Sequence, residues 1–294
     1  MEFGLVLPHS GPASSPAFIK EFAQAAERQG FAALWAVDHL VLPRRVQSPY
    51  VLGRAPVQVA DDWLAEHLSP NFEMVTTLAW VAAHTTSIGL GTSVSVLPIR
   101  HPIANARQLA TLDALSEGRL TYGVGIGWMR EEADAMGLPW ERRAARSEEH
   151  VAVLRALWEG DQPFVEFHGK FVDFNEMDRR PQPTRRTIPI LVGGHSPAAL
   201  QRAVRIGDGW IAAPMPPERL AALVAELRRY AAEAGRTRDG FRIVAATAVE
   251  SASAFKTVQA SYRDIGVDHL QLLLPTSESR QTMKLIGDLG LNLP

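Results

Sequence analysis

The stretch Ile188–Trp210, IPILVGGHSPAALQRAVRIGDGW, sets the reading of the whole chain. Ile190, Leu191 and Val192 form a short apolar run, the mark of a strand buried on both faces. Gly193 and Gly194 end it, and Ser196-Pro197 supply an N-cap followed by a first-turn proline. Ala198, Ala199, Leu200, Ala203 and Val204 then recur at helical spacing as far as Gly207, and Asp208–Ala212 reads as the next strand. Two glycines between a strand end and a helix N-terminus expose backbone N–H groups where the helix dipole is positive. Such a turn is either a plain strand-to-helix connection or a site for an anion such as phosphate. GG-x-S-P lacks the lysine of a full P-loop, so the surrounding pattern has to decide.

Working outward, the same strand–helix alternation covers the chain. Strands are expected at Glu2–Leu7, Phe31–Val37, Ser87–Val96, Arg119–Val124, Ile190–Val192, Asp208–Ala212, Phe241–Val249 and His269–Leu273. Between them lie helical patterns: one capped by Ser15-Pro16 and ending at Gly30, then Asn71–His84, Pro102–Leu115, Ala145–Trp158, the helix after Ser196, Pro217–Ala234, Ser253–Tyr262 and Ser277–Leu289. Eight strands alternating with eight helices imply parallel strands joined by right-handed crossovers. At 294 residues the pattern fits an α/β fold of the closed (β/α)8 TIM-barrel type, a single domain over residues 1–294. An open doubly wound sheet is the competing architecture, but no G-x-G-x-x-G follows the first strand. Leu40–Pro70, rich in proline, glycine and polar residues, is a long insertion after the second strand, and such loops serve as lids or binding loops.

Composition narrows the function. Hydrophobic residues make up 46% of the chain and the formal charge is −2, so neither nucleic acid nor an anionic membrane is expected as a partner. The absence of cysteine removes disulfides, thiolate nucleophiles and thiolate metal sites, and fits a reducing cytoplasm. The opening MEFGLVLPHSG has neither a signal-peptide pattern nor a spanning length, so a soluble cytoplasmic protein is expected. The histidines are scattered, with no H-x-H and no H-E-x-x-H, so no metal site is expected; nor is there a G-x-S-x-G elbow for a serine nucleophile.

In a barrel of this kind the chemistry sits at the C-terminal ends of the strands. Asp38-His39, Ser93-Val94, Gly123–Trp128 and Gly193–Ser196 all fall there. Asp38 is not the cap of a following helix, because LVLP comes next. His39 at the rim is well placed to take or give a proton, although a lone histidine is commonly only a structural hydrogen-bonding group. The glycines in and after the fourth strand mark a close approach to the backbone, by a flat cofactor ring or by a tightly packed neighbour. Glu131 and Glu132 beyond them could cap or bond polar groups, though solvation at the surface is the usual fate of such a pair. Trp158 shares a helix face with Val151 and Leu154 and belongs to the core, whereas Trp63 in the long loop is placed to line a pocket.

WAVDHLVLP, IGLGTSVSVLPIRHP, LDALSEGRLTYGVGIGWMREE, RRAARSEEHVAVLRALWEGD and IPILVGGHSPAAL with its following GDGW together resemble the luciferase-like flavin and deazaflavin oxidoreductases, most closely the branch that uses coenzyme F420. The resemblance runs from Phe3 to Ala213. It implies a cofactor ring in the barrel mouth and its phosphate near strands five and six. By position, Asp38 and His39 match a pair near the ring, with His39 as proton donor or acceptor. Ser93-Val94 matches a non-proline cis peptide behind the ring, Gly125, Ile126 and Gly127 match backbone in contact with the cofactor, and Gly193, Gly194, His195 and Ser196 match the phosphate loop. Trp128 stands where a sugar-phosphate dehydrogenase branch carries a catalytic glutamate, which argues against that substrate. The expected activity is hydride transfer between F420 and a small organic substrate. The alternatives are an FMN-dependent monooxygenase and a non-catalytic flavin-binding barrel. A homodimer is expected, since dimers are common in the family.

Overall fold

The structure, a computed structural model, describes residues 1–49, 60, 62–236 and 240–290. Its strands are β1 (Glu2–Val6), β2 (Ala33–Ala36), β3 (Gly89–Thr92), β4 (Ser95–Val96), β5 (Leu120–Gly125), β6 (Phe164–His168), β7 (Asp173–Asp178), β8 (Ile190–Gly193), β9 (Gly209–Ile211), β10 (Arg242–Ala248) and β11 (His269–Leu273). The helices are α1 (Pro16–Arg28), α2 (Trp63–Leu68), α3 (Met74–Ala82), α4 (Pro102–Leu115), α5 (Arg130–Ala135), α6 (Arg143–Trp158), α7 (Pro197–Ile206), α8 (Pro217–Glu233), α9 (Ala252–Ile265) and α10 (Ser279–Leu289).

Nine strands form one parallel sheet in the order β3-β2-β1-β11-β10-β9-β8-β5-β4, and β3 also pairs with β5. That last pairing closes the sheet. Because β3 and β4 are two halves of one strand interrupted at Ser93-Val94, the nine segments make eight staves of a (β/α)8 barrel. The first and last strands meet in register, with Leu5 opposite both Leu34 and Leu272. All eight expected strands are present.

Closure divides the apolar residues into two layers. Trp35, Leu191, Ile211 and Val244 are buried together inside the barrel, with Val6, Ala33 and Val94 packed on them. The larger core lies between sheet and helices, where α1 contributes Phe18, Ile19 and Phe22 on one face. Burying each such side chain stabilises the fold by about 1.5–3 kcal/mol. Local signals set the helix starts. Ser15, Ser196 and Ser251 each accept a hydrogen bond from the backbone N–H three residues on, and Pro16, Pro102, Pro197 and Pro217 occupy first-turn positions.

Three elements were not expected. The antiparallel hairpin β6–β7 lies in what reads as a polar, proline-bearing stretch; its strands are largely exposed, only Phe174 is buried, and Phe167 stacks on it. A hairpin with so little buried surface leaves a weak alternation in sequence. The helices α2 and α5, each 6 residues long, are too short to show a period. Among the described residues no helix is long and apolar enough to cross a membrane.

Candidate active site at the barrel mouth

Asp38 follows β2 and is buried, and its carboxylate is fully engaged. It accepts from the Val96 N–H at 2.9 Å, from Arg100 Nε at 3.0 Å and Nη2 at 2.7 Å, and from Ser95 Oγ at 3.3 Å. Ser95 Oγ in turn accepts from the Tyr122 hydroxyl at 2.8 Å, which accepts from Asn105 Nδ2 at 2.7 Å. Burial pulls the Arg100 guanidinium down, but the bond to Asp38 and its charge outweigh that and hold it above the ordinary arginine value. Burial pushes the Tyr122 phenol up to about 12. As placed, Asp38 ties the ends of two neighbouring staves and offers no free oxygen to the mouth.

His39, the next residue, stands at the rim with its side chain 15% exposed. Its backbone carbonyl accepts from Asn71 Nδ2 at 2.7 Å, and its ring meets Trp128 edge-on, centroids 6.1 Å apart. Nδ1 lies 3.2 Å from Glu132 Oε2. Nε2 has no bonding partner among the described residues.

The two glutamates of α5 are not a solvated pair. Glu132 is buried, and its Oε1 accepts from the Leu40 N–H at 2.6 Å and the Val41 N–H at 3.3 Å. Glu131 accepts from the Gln47 and Ser48 N–H groups at 2.5 and 2.9 Å. Burial pushes the Glu131 carboxyl up, yet these bonds outweigh it and hold the group below the usual carboxylate range. Two adjacent side chains thus pin the segment after β2 at two points. That segment also packs by apolar contact: Val46 and Leu64 are buried with Met129, and Leu42, Trp63 and Trp128 pack on them. Residues 50–59 and 61 of the long insertion lie outside the described residues.

The Ser93-Val94 peptide is cis. Val94 occupies the space that side chains on strands β5 and β8 would fill. A Cβ on Gly125 would lie 2.7 Å from Val94 Cγ2, and one on Gly193 would lie 3.3 Å from Val94 Cγ1. The close approach signalled by these glycines is therefore made by the chain itself. Ile126 and Gly127 continue from β5, half-buried, towards Trp128. Ser93 Oγ donates to Gln271 Oε1 at 2.7 Å, whereas Gln271 Nε2, wholly buried inside the barrel, has no partner among the described residues.

At the end of β8, Gly194 has φ +117°, and a Cβ there would meet the Ala199 Cβ at 2.7 Å. Only glycine fits this turn. Ser196 caps α7, accepting from the Ala199 N–H at 3.2 Å. His195 Nε2 accepts from the Ala213 N–H at 3.1 Å, which fixes the proton on Nδ1, and Trp210 Nε1 donates to the Gly194 carbonyl at 2.8 Å. Burial pulls the His195 imidazole below its ordinary value, and the nearby Arg219 adds to this. Arg219 Nη1 is buried without a partner among the described residues. The sequence placed the loop and allowed that Glu132 could bond polar groups, but gave no direct sign of Arg219, Gln271 or Arg100. The one signal available was Asp38 itself, a carboxylate in an apolar context that needs a counter-charge. A separate cavity of about 250 Å³, lined by Glu2, Trp35, Asp113, Arg185, Arg242 and His269 among others, opens at the opposite, N-terminal end of the strands.

Comparison with known proteins bears on the family and the fold. The family model described as luciferase-like monooxygenase matches residues 1–281. An uncharacterised protein of Mycobacterium tuberculosis is 36% identical over 222 residues, 75% of this chain and 73% of that one. The F420-dependent glucose-6-phosphate dehydrogenase of Kineococcus radiotolerans is 33% identical over 203 residues, 67% of this chain but only 52% of that enzyme. The FMNH2-dependent dimethylsulfone monooxygenase of Pseudomonas putida is 37% identical over 138 residues, 46% of this chain and 38% of that one. Among solved structures, an F420-dependent secondary alcohol dehydrogenase in complex with an F420-acetone adduct superposes with a TM-score of 0.77, covering 98% of both chains at 17% identity, a likeness of fold.

Proposed function

The chain belongs to the luciferase-like monooxygenase family, and on that premise we propose that it is an oxidoreductase passing hydride between coenzyme F420 and a small, mostly apolar organic molecule. The observation that carries this reading is His39: a titratable ring at the rim of the barrel mouth whose Nε2 is left without a partner among the described residues while Nδ1 is held by Glu132. A barrel that had kept the fold and lost turnover has no use for such an arrangement.

The residues present suit a deazaflavin. Gln271 Nε2 is a buried donor without an acceptor, beside Ser93 within the barrel, and a ring edge carrying carbonyl oxygens would satisfy it. Arg219 Nη1, likewise unpartnered, stands near the loop that leads into α7, where a phosphate would also meet the helix N-terminus at Ser196. When bound, F420 supplies a carbon centre that gives or takes hydride. His39 Nε2 then takes or returns the accompanying proton, Trp128 and the pinned segment exclude water, and Asp38 with Arg100 keeps His39 at the rim.

An apolar substrate is suggested by Trp128, whose ring meets His39 edge-on, and by the apolar cluster of Leu42, Trp63 and Met129 packed with it. A sugar phosphate is not proposed, because Trp128 occupies the position at which that branch carries its second acid. The second reading, an FMN-dependent monooxygenase, is favoured by the similarity to the dimethylsulfone enzyme. Separate titrations of the purified protein with F420 and FMN distinguish the two. Tighter binding of F420 is expected; tighter binding of FMN, with oxygen consumed on adding reduced flavin, would reverse the assignment.

A further inference from the structure

Glu132 lies 93 residues from His39 in sequence, sits on a different βα unit and is 2% exposed. A carboxylate so deeply buried is tolerated only when donors converge on it. Two donors are beyond dispute, since the Leu40 and Val41 backbone N–H groups reach Oε1 and cannot act otherwise. The third contact, His39 Nδ1 to Oε2 at 3.2 Å, has only one favourable arrangement. With the proton on Nδ1 it is a charge-assisted hydrogen bond. With the proton on Nε2, a nitrogen lone pair would face an anionic oxygen at the same distance.

From this we infer that Glu132 is a positioning residue: it holds neutral His39 in the Nδ1–H form and so presents the bare Nε2 to the barrel mouth. Partners of this kind decide which ring nitrogen is available for chemistry. A proton arriving at Nε2 creates an imidazolium whose charge lies against the Glu132 carboxylate. The same carboxylate anchors the first two residues after His39, so the ring orientation and the start of the covering segment depend on one side chain. The significance of this for catalysis rests on the reading of His39 as the proton carrier. The arrangement of protons does not.

The test is Glu132→Gln. Its carbonyl oxygen can still accept from the Leu40 and Val41 N–H groups, and turning the amide round would set its own N–H groups against two donors. The amide nitrogen is thereby directed at His39 Nδ1, where it can only donate, so the ring proton must move to Nε2. Long-range ¹H–¹⁵N correlation spectra of ¹⁵N-histidine-labelled protein report the tautomer of each of the nine histidines, and His39→Gln identifies the relevant signals. The expected result is Nδ1–H in the native protein, Nε2–H in Glu132→Gln, and return to Nδ1–H in Glu132→Asp, which keeps the charge. A native protein with Nε2–H, or a Gln variant with an unchanged tautomer, overturns the inference. If the Gln variant does not fold, the native spectrum still decides: Nδ1–H supports the inference and Nε2–H overturns it. Neither cofactor nor substrate enters the measurement, so failure of the proposed activity and failure of this inference are separately visible.

Discussion

Arg100 Nη2 lies 2.7 Å from Asp38 Oδ1, and the two side chains are 8% and 0% exposed. A buried ion pair therefore ties the end of the second stave to the end of the third, immediately beside His39. Glu73, 3.0 Å from the same nitrogen, extends the pair to the start of α3.

Breaking that pair should be costly. Asp38→Ala leaves Arg100 buried with Glu73 as its remaining carboxylate, and loss of one member of a buried pair costs about 3–5 kcal/mol. Urea unfolding monitored by far-UV circular dichroism checks this. A loss under about 1 kcal/mol, within the range of exposed pairs, would show that the pair contributes little.

Removing the ring of His39 should separate chemistry from binding. His39→Ala is expected to lower turnover by about 10²–10⁴, the range for a lost general acid or base. F420 affinity should change far less, because the contacts proposed for the cofactor lie at Gln271, Arg219 and the loop before α7. Equal losses in both quantities would place His39 in binding rather than proton transfer.

Gln271 offers a contrast. Gln271→Leu removes a buried donor that is unpaired among the described residues, together with the acceptor of the Ser93 hydroxyl, so stability should fall by about 1 kcal/mol. F420 affinity should fall about three- to tenfold, the worth of one net hydrogen bond. Isothermal titration calorimetry and thermal melts measure the two effects, and unchanged affinity would remove Gln271 from the cofactor site.

His150 controls part of the acid limb of stability. It is buried on α6, with Nδ1 3.3 Å from the Leu97 carbonyl, and burial pulls its imidazole from 6.5 down to about 4. As pH falls through about 6.5 the unfolded chain takes up a proton that the folded chain refuses. Stability is therefore complete above that pH, declines towards about 4, and stops changing once the folded ring titrates. The full span is on the order of 3 kcal/mol. His150→Leu should flatten this window in denaturation curves taken across pH, and an unchanged slope would assign the acid limb to other groups.

Gly194 shows how a sequence pattern and its tertiary reason can differ. The pair Gly193-Gly194 was legible as a turn that bares N–H groups. The structure adds that Gly194 needs positive φ and faces Ala199, so a branched residue there would damage the fold as well as any ligand contact. Glu131 and Glu132 differ more sharply. Two adjacent acids after a glycine-rich turn could bond polar groups but more usually stay solvated, and their contacts with Gln47, Ser48, Leu40 and Val41 arise only when the loop after β5 folds over the segment after β2.

What the sequence determined by itself was the series of strands and helices, the barrel they imply, and the places where chemistry could sit. These follow from local causes: apolar runs that must be buried on both faces, helical spacing of apolar residues, serine caps, first-turn prolines and glycines at strand ends. Tertiary structure alone decided which groups meet. Asp38 found Arg100 62 residues on, His39 found Glu132 93 residues on, and Ser93 found Gln271 178 residues on. Such pairings leave no period in the chain, because they depend on closing eight staves into a ring and bringing distant strand ends to one rim. Among the described residues, closure leaves Gln271 with an unpaired donor inside the barrel and His39 with an open nitrogen at its mouth.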